Sequence, residues 1–177
     1  MKIILRISIA ILVIIAIPLI MALFIKKDYH IEREITINTP KQIVFDYIKY
    51  LKNQDNYSTW VMMDPNMKKT FTGTDGTVGF IYAWDGNKKA GKGAQEITHI
   101  IEGEKINIEV RFIKPMEGVA YTPFTLTPVA DGHTRVKWDV MGTNKYPFNL
   151  MNLFCDKMMG PDMEKSLVRL KDILEKQ

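Results

Sequence analysis

The side chains in this chain that could move a proton, form a bond or grip a ligand fall in three places. His99 shares its parity with Gln95 and Ile97 in an extended segment, so an inward Ile97 implies an inward imidazole able to act as a general base. The alternatives are a histidine satisfied within the core, or a strand bulge that turns it outward, since Ile100 and Ile101 follow together. Cys155 lies in an apolar stretch with no base nearby in sequence to hold a thiolate, and it reads as a small core residue. The third group is aromatic and thioether-rich. Tyr82 and Trp84 share a parity with Phe80, Phe112, Phe124 and Trp138 follow on later segments, and Met151, Phe154, Met158 and Met159 recur near the C-terminus. Buried Tyr and Trp need partners for their polar tips, and flexible thioethers accommodate apolar ligands of varied shape. The candidate ligand-binding residues are therefore Tyr82, Trp84, Gln95, His99, Phe112, Phe124, Trp138, Met151, Phe154 and Met158, with Gln95, Tyr82 or His99 orienting a polar end. No residue is assigned a catalytic role.

Metal and nucleotide chemistry find no signature. Gly91, Lys92 and Gly93 begin like a dinucleotide loop, but Glu96 stands where the third glycine belongs and the segment reads as strand. There is no phosphate-loop pattern and no clustered His and carboxylate set at ligand spacing, so no metal or cofactor is expected. A lone cysteine excludes an intramolecular disulfide framework and a Cys-based zinc site.

The 177 residues carry a net charge of +4 and are 46% hydrophobic, enough to build one domain's core. Lys2, Arg6, Lys26 and Lys27 account for the whole charge excess, and the stretch from Asp28 onward is electroneutral. A nucleic-acid partner is disfavoured on that ground. Between those basic flanks, Ile7 to Ile25 form nineteen uncharged residues interrupted only by Ser8 and Pro18. As a helix that run spans ~28 Å, close to the hydrocarbon thickness of a bilayer. A single-pass anchor over residues 1–27 is expected, in preference to a cleaved signal peptide, because the run exceeds a usual signal core and no small-residue cleavage pattern precedes Lys26. The basic flanks balance and select no orientation.

The remainder, residues 28–177, must position the candidate wall. His30 to Asn38 alternates as a half-buried strand, with Ile31, Ile35 and Ile37 on one side. Thr39, Pro40 and Gln42 resemble a capping box, predicting a helix whose stripe is Val44, Tyr47, Ile48 and Leu51. Turn signals at Asp75-Gly76, Asp85-Gly86, Gly103, Gly118 and Asp131-Gly132 separate predicted strands near 68–74, 77–84, 91–102, 105–113, 119–129 and 134–142, an antiparallel meander. Two of these strands alternate apolar with charged residues, giving a sheet with one apolar face. Asn149 to Lys176 reads as a helix with Met151, Phe154, Cys155 and Met158, then Met163, Leu167, Leu170 and Leu174, facing the core, and with an interruption at Gly160-Pro161.

This order of elements resembles the helix-grip superfamily of START-like lipid-transfer domains, pollen-allergen-like proteins and polyketide cyclases, the SRPBCC proteins. The resemblance covers Ile31 to Glu175 and rests on Val78, Gly79, Tyr82, Trp84, Gly86, Gly91 and Gly93, then on Phe112, Lys114, Pro115 and Gly118. It continues through Thr134, Val136, Trp138 and Gly142 in the last strand, and through Gly160, Asp162, Ser166, Leu167, Leu170, Lys171 and Glu175 in the final helix. It implies an α+β fold, a curved antiparallel sheet of about seven strands wrapped on a long C-terminal helix with a hydrophobic cavity between them. A membrane-anchored binder of a hydrophobic or amphipathic molecule, with a lipid among the partners, is the leading expectation. A polyketide cyclase or dehydratase-like enzyme using a cavity His or Tyr, and an interaction module whose own side chains fill the cavity, are the alternatives.

Overall fold

A computed structural model describes residues 2–130 and 132–176, so the first half of the expected Asp131-Gly132 turn lies outside the described residues. Helix α1 (Lys2–Phe24) is continuous through Pro18, and almost none of its span from Arg6 to Phe24 is covered by the rest of the chain. The domain follows as β1 (Asp28–Ile37), α2 (Lys41–Ile48), two short helices α3 (Gln54–Tyr57) and α4 (Thr59–Met62), and strands β2 (Lys68–Thr72), β3 (Ile81–Asp85), β4 (Lys92–Ile101) and β5 (Lys105–Lys114). Strands β6 (Gly118–Tyr121), β7 (Phe124–Ala130) and β8 (His133–Thr143) complete the sheet, and α5 (Asn152–Leu174) closes the chain after a 3-10 turn at Phe148–Met151.

All pairings are antiparallel, in the order β1-β8-β6-β5-β4-β3-β2, with β7 continuing the line of β6 between β5 and β8. The sheet therefore has eight strands rather than about seven. The single strand expected over 119–129 divides at Thr122 and Pro123, because proline lacks the N–H that a continuous ladder needs. The expected 77–84 strand begins at Ile81. Inward residues alternate as the sequence pattern requires, with Ile106, Ile108 and Val110 from β5 and Val136, Trp138 and Val140 from β8 all buried. On the outer face Arg111 binds Glu96 and Glu109, each at 2.6 Å, a cross-strand ion-pair cluster on a solvated surface.

The helices cover the inner face, and the capping box did not form. Helix α2 starts without a side-chain cap; the Thr39 hydroxyl donates to the Leu174 carbonyl at 3.2 Å, and Thr134 Oγ1 donates to the Thr39 carbonyl at 2.8 Å. Gln42 reaches Asp46 and Glu102 instead of the helix start. A buried tertiary partner displaced the local cap, tying the end of α5 to the start of α2. Phe45 joins Val44, Ile48 and Leu51 in the core, where Tyr47 is only half-buried.

Helix α5 runs unbroken across Gly160-Pro161, against the expected interruption. The missing proline donor is offset by a splint from the sheet. Arg33 of β1 lies against Gly160, where any Cβ would overlap its guanidinium, and binds Asp156 at 2.8 Å and Glu164 at 2.6 Å, one turn to either side. The C-terminal half docks as expected, with Met163, Leu167, Leu170 and Leu174 buried. The N-terminal half does not: Met151, Phe154 and Met158 form a stripe that faces outward. The inward positions there are Asn152, Cys155 and Met159, which share the rotational phase of Met163 and Leu170.

The domain also holds the end of α1. Asn149 donates through Nδ2 to the carbonyls of Ala22 and Ile25 at 2.6 and 2.8 Å, and Asn152 to those of Lys26 and Lys27 at 2.9 and 2.8 Å. The last carbonyls of a helix have no partner within it; here Asn149 supplies a donor to that of Ala22, and the other three bonds hold the residues that follow the helix.

Candidate functional site

Between the inner face of β3, β4, β5 and β8 and the helices α3, α4 and α5 lies a cavity of about 250 Å³. Its far side is sheet: Tyr82 and Trp84 from β3, Gln95 from β4, Val110 and Phe112 from β5, Phe124 from β7, and Trp138 and Val140 from β8. Its near side is Gln54 of α3, Trp60 and Val61 of α4, and Met159 of α5, with Lys114 from the end of β5 and Lys89, Ala90 and Pro115 from two hairpin loops. The volume falls just below the ~300–1,000 Å³ usual for small-molecule sites, and the wall is mainly apolar.

The aromatic side chains fix one another. Phe124 stacks on Trp138 with centroids 4.9 Å apart, Trp60 meets the edge of Trp138 at 5.3 Å, and Trp84 contacts Phe112 at 6.2 Å. Such pairs favour offset and edge-on geometries that hold a wall rigid. Polar groups on the wall are mostly paired. The Tyr82 hydroxyl donates to Asp55 at 2.8 Å, Asp55 also binding Lys69 at 2.8 Å; Gln95 Nε2 donates to Gln54 at 2.9 Å; and Trp84 Nε1 donates to the Ala90 carbonyl at 3.1 Å. Trp138 is the exception, its buried Nε1 having no partner among the described residues. A buried donor left unpaired costs on the order of 1–3 kcal/mol.

Burial, with the Asp55 carboxylate second, raises the Tyr82 pKa, burial with Tyr47 raises that of Tyr57, and burial with Cys155 raises that of Tyr29. An unfolded phenol titrates near 10, so above that pH the folded state binds more protons than the unfolded one. The contribution of these tyrosines is intact below about pH 10 and is lost as the pH rises beyond it. Tyrosinate absorbance from the three is expected to appear together with loss of far-ultraviolet circular dichroism. Titration of Tyr82 while the fold persists would show instead that its hydroxyl is open to water.

Of the residues singled out from sequence, the cavity gathers Tyr82, Trp84, Gln95, Phe112, Phe124 and Trp138. It does not include His99. The β4–β5 register shifts between Ile97 and His99, and the bulge turns the imidazole outward, the alternative that the Ile100-Ile101 pair had raised. Met151, Phe154 and Met158 also lie elsewhere, and Met159 takes their place on the wall. Gln54 and Trp60 were not among the candidates, since their segment showed no periodicity; a tryptophan in an otherwise polar stretch was the available signal. Cys155 is half-buried beside the core, and burial raises its thiol pKa, which disfavours the thiolate. Outside the cavity, His30, Glu32 and Asp139 bring three ligating atoms together, but Lys137 Nζ lies 3.2 Å from Glu32 and 3.6 Å from Asp139, a cation already among them.

A family model described as polyketide cyclase / dehydrase and lipid transport matches residues 28–175. No protein of curated function matches the sequence. Among solved structures, protein CV1439 from Chromobacterium violaceum superposes over 82% of this chain and 96% of its own with a TM-score of 0.59 at 16% identity. The di-domain ARO/CYC StfQ from the steffimycin biosynthetic pathway gives 0.63 at 12% identity, over 84% of this chain but 51% of that one. Ara h 8.0201 gives 0.54 at 14% identity, over 81% and 98%. At these identities the likeness is one of fold.

Proposed function

The chain belongs to the polyketide cyclase/dehydrase and lipid transport family, and from that premise we propose that it is a membrane-anchored binding domain for a small hydrophobic or amphipathic molecule. The observation that carries this reading is a cavity of about 250 Å³ walled mainly by apolar and aromatic side chains. Apolar burial, at about 25 cal/mol per Å² before association costs, supplies the drive. The Tyr82 hydroxyl gives its one proton to Asp55 as a hydrogen bond, and burial holds that proton in place, which disfavours acid–base turnover there. Anchoring is supported by the apolar length of α1 and by Asn149. That residue is 1% exposed and its amide donates to Ala22 of α1 and to Ile25 just past the helix, so cleavage there would strip a buried amide of its partners.

The test uses the full chain in phosphatidylcholine nanodiscs with Nile red as probe. Saturable fluorescence enhancement is expected, with displacement by a medium-chain fatty methyl ester. Absence of saturable binding above the signal of empty nanodiscs overturns the reading.

A further inference from the structure

The outward stripe of α5 has no role in the core or the cavity. Phe154 and Met158 are 54% and 61% exposed, Met151 borders them, and Phe148 in the preceding turn is 57% exposed. Large apolar side chains grouped in this way on one surface mark a contact with something apolar. Their position identifies it. Asn152, at the start of the same helix, is hydrogen-bonded to the carbonyls of Lys26 and Lys27, two and three residues past the end of α1. Met158 is six residues further along α5, about 9 Å from Asn152 along the helix axis at ~1.5 Å per residue. An interfacial helix sinks its apolar face ~5–10 Å into the headgroup boundary, and basic groups beside it favour anionic lipid. Lys26 and Lys27, whose carbonyls Asn152 holds, and Lys145 and Lys157, near Phe148 and Met158 in sequence, are exposed.

We propose that Phe148, Met151, Phe154 and Met158 form a bilayer-docking face that lies in the interface of the membrane crossed by α1. The asparagine clamp fixes the domain against that surface. Met159, next to Met158, is on the cavity wall, so docking sets one side of the cavity against the lipid. A tethered domain floating on a flexible linker would need no such clamp and no such stripe. This inference rests on the anchor reading.

Nitroxide labels on the full chain in vesicles of phosphatidylcholine and phosphatidylglycerol test it. Labels are placed singly at Met158→Cys, Phe154→Cys, Ile14→Cys and Lys105→Cys in a Cys155→Ser background, and the accessibility of each to oxygen and to a polar nickel chelate is measured. The expected result is that the Met158 and Phe154 labels join the Ile14 label in favouring oxygen several-fold over the Lys105 label. A lipid-embedded Ile14 label with water-exposed labels at Met158 and Phe154 overturns docking and leaves the anchor standing. A water-exposed Ile14 label overturns the anchor and docking together. Labels at Met158 and Phe154 closed to both reagents would place a second copy of the chain on this face, and would overturn the lipid assignment.

Discussion

Replacing Gly91 by alanine is expected to destabilise the domain by about 3 kcal/mol or more, combining left-handed backbone strain with steric overlap. Gly91 has φ +67°, and a Cβ built there would overlap the carbonyl oxygen of Lys114, an atom of the facing β5 backbone that cannot swing aside. The residue also ties the hairpin at the cavity edge, its N–H donating to Asn87 and its carbonyl accepting from Gly86, both at 2.8 Å. Gly79 separates the two causes. Its φ is +87°, yet a Cβ there meets nothing within 4 Å, so Gly79→Ala carries the conformational penalty alone, ~1–2 kcal/mol. Urea denaturation of the full chain in detergent measures both. Equal losses for the two variants would refute the steric part of the argument and leave backbone conformation as the sole cause.

Filling the cavity from its wall is expected to reduce Nile red affinity at least tenfold in Val110→Trp, a change of about 1.4 kcal/mol, with a smaller loss in Val110→Phe. Val110 faces the cavity from β5, directly across from Gln95 of β4. Overpacking a filled core costs ~1–3 kcal/mol, but here the added rings enter existing space, and the change in stability should be under about 1 kcal/mol. The two readouts together distinguish a filled site from a damaged fold. Unchanged affinity with unchanged stability would place the bound dye outside the cavity.

Both expectations depend on how the strands and helices meet, and the sequence revealed that to different depths in different places. In β5 and β8 the alternation of apolar and charged residues determined which side chains face inward, because a strand's faces repeat every two residues and no tertiary contact changes that parity. The exceptions are where the repeat breaks. His99 left the expected face through a bulge, and Thr122 with Pro123 split one strand into two. The expected cap at Thr39 was lost for a similar reason: a local hydrogen bond competes with any buried partner the fold provides, and Leu174 provided one 135 residues away.

Helix α5 shows the division most plainly. Its sequence carries two apolar stripes, Met151-Phe154-Met158 and Met163-Leu167-Leu170-Leu174, and on a 3.6-residue repeat they point in different directions. Periodicity assigns each stripe a face but not a neighbour. The sequence alone determined the apolar first helix, the electroneutral domain, the inward set of the central strands and the aromatic wall on β3, β5 and β8. Only the tertiary structure decided that the second stripe enters the core while the first faces out beside the end of α1, and that Met159, Trp60 and Gln54 close the cavity. The physical reason is that composition and spacing govern what each element can bury, whereas the direction in which it is buried is set by contacts between residues far apart in the chain, such as Arg33 with Glu164 and Asn149 with Ala22.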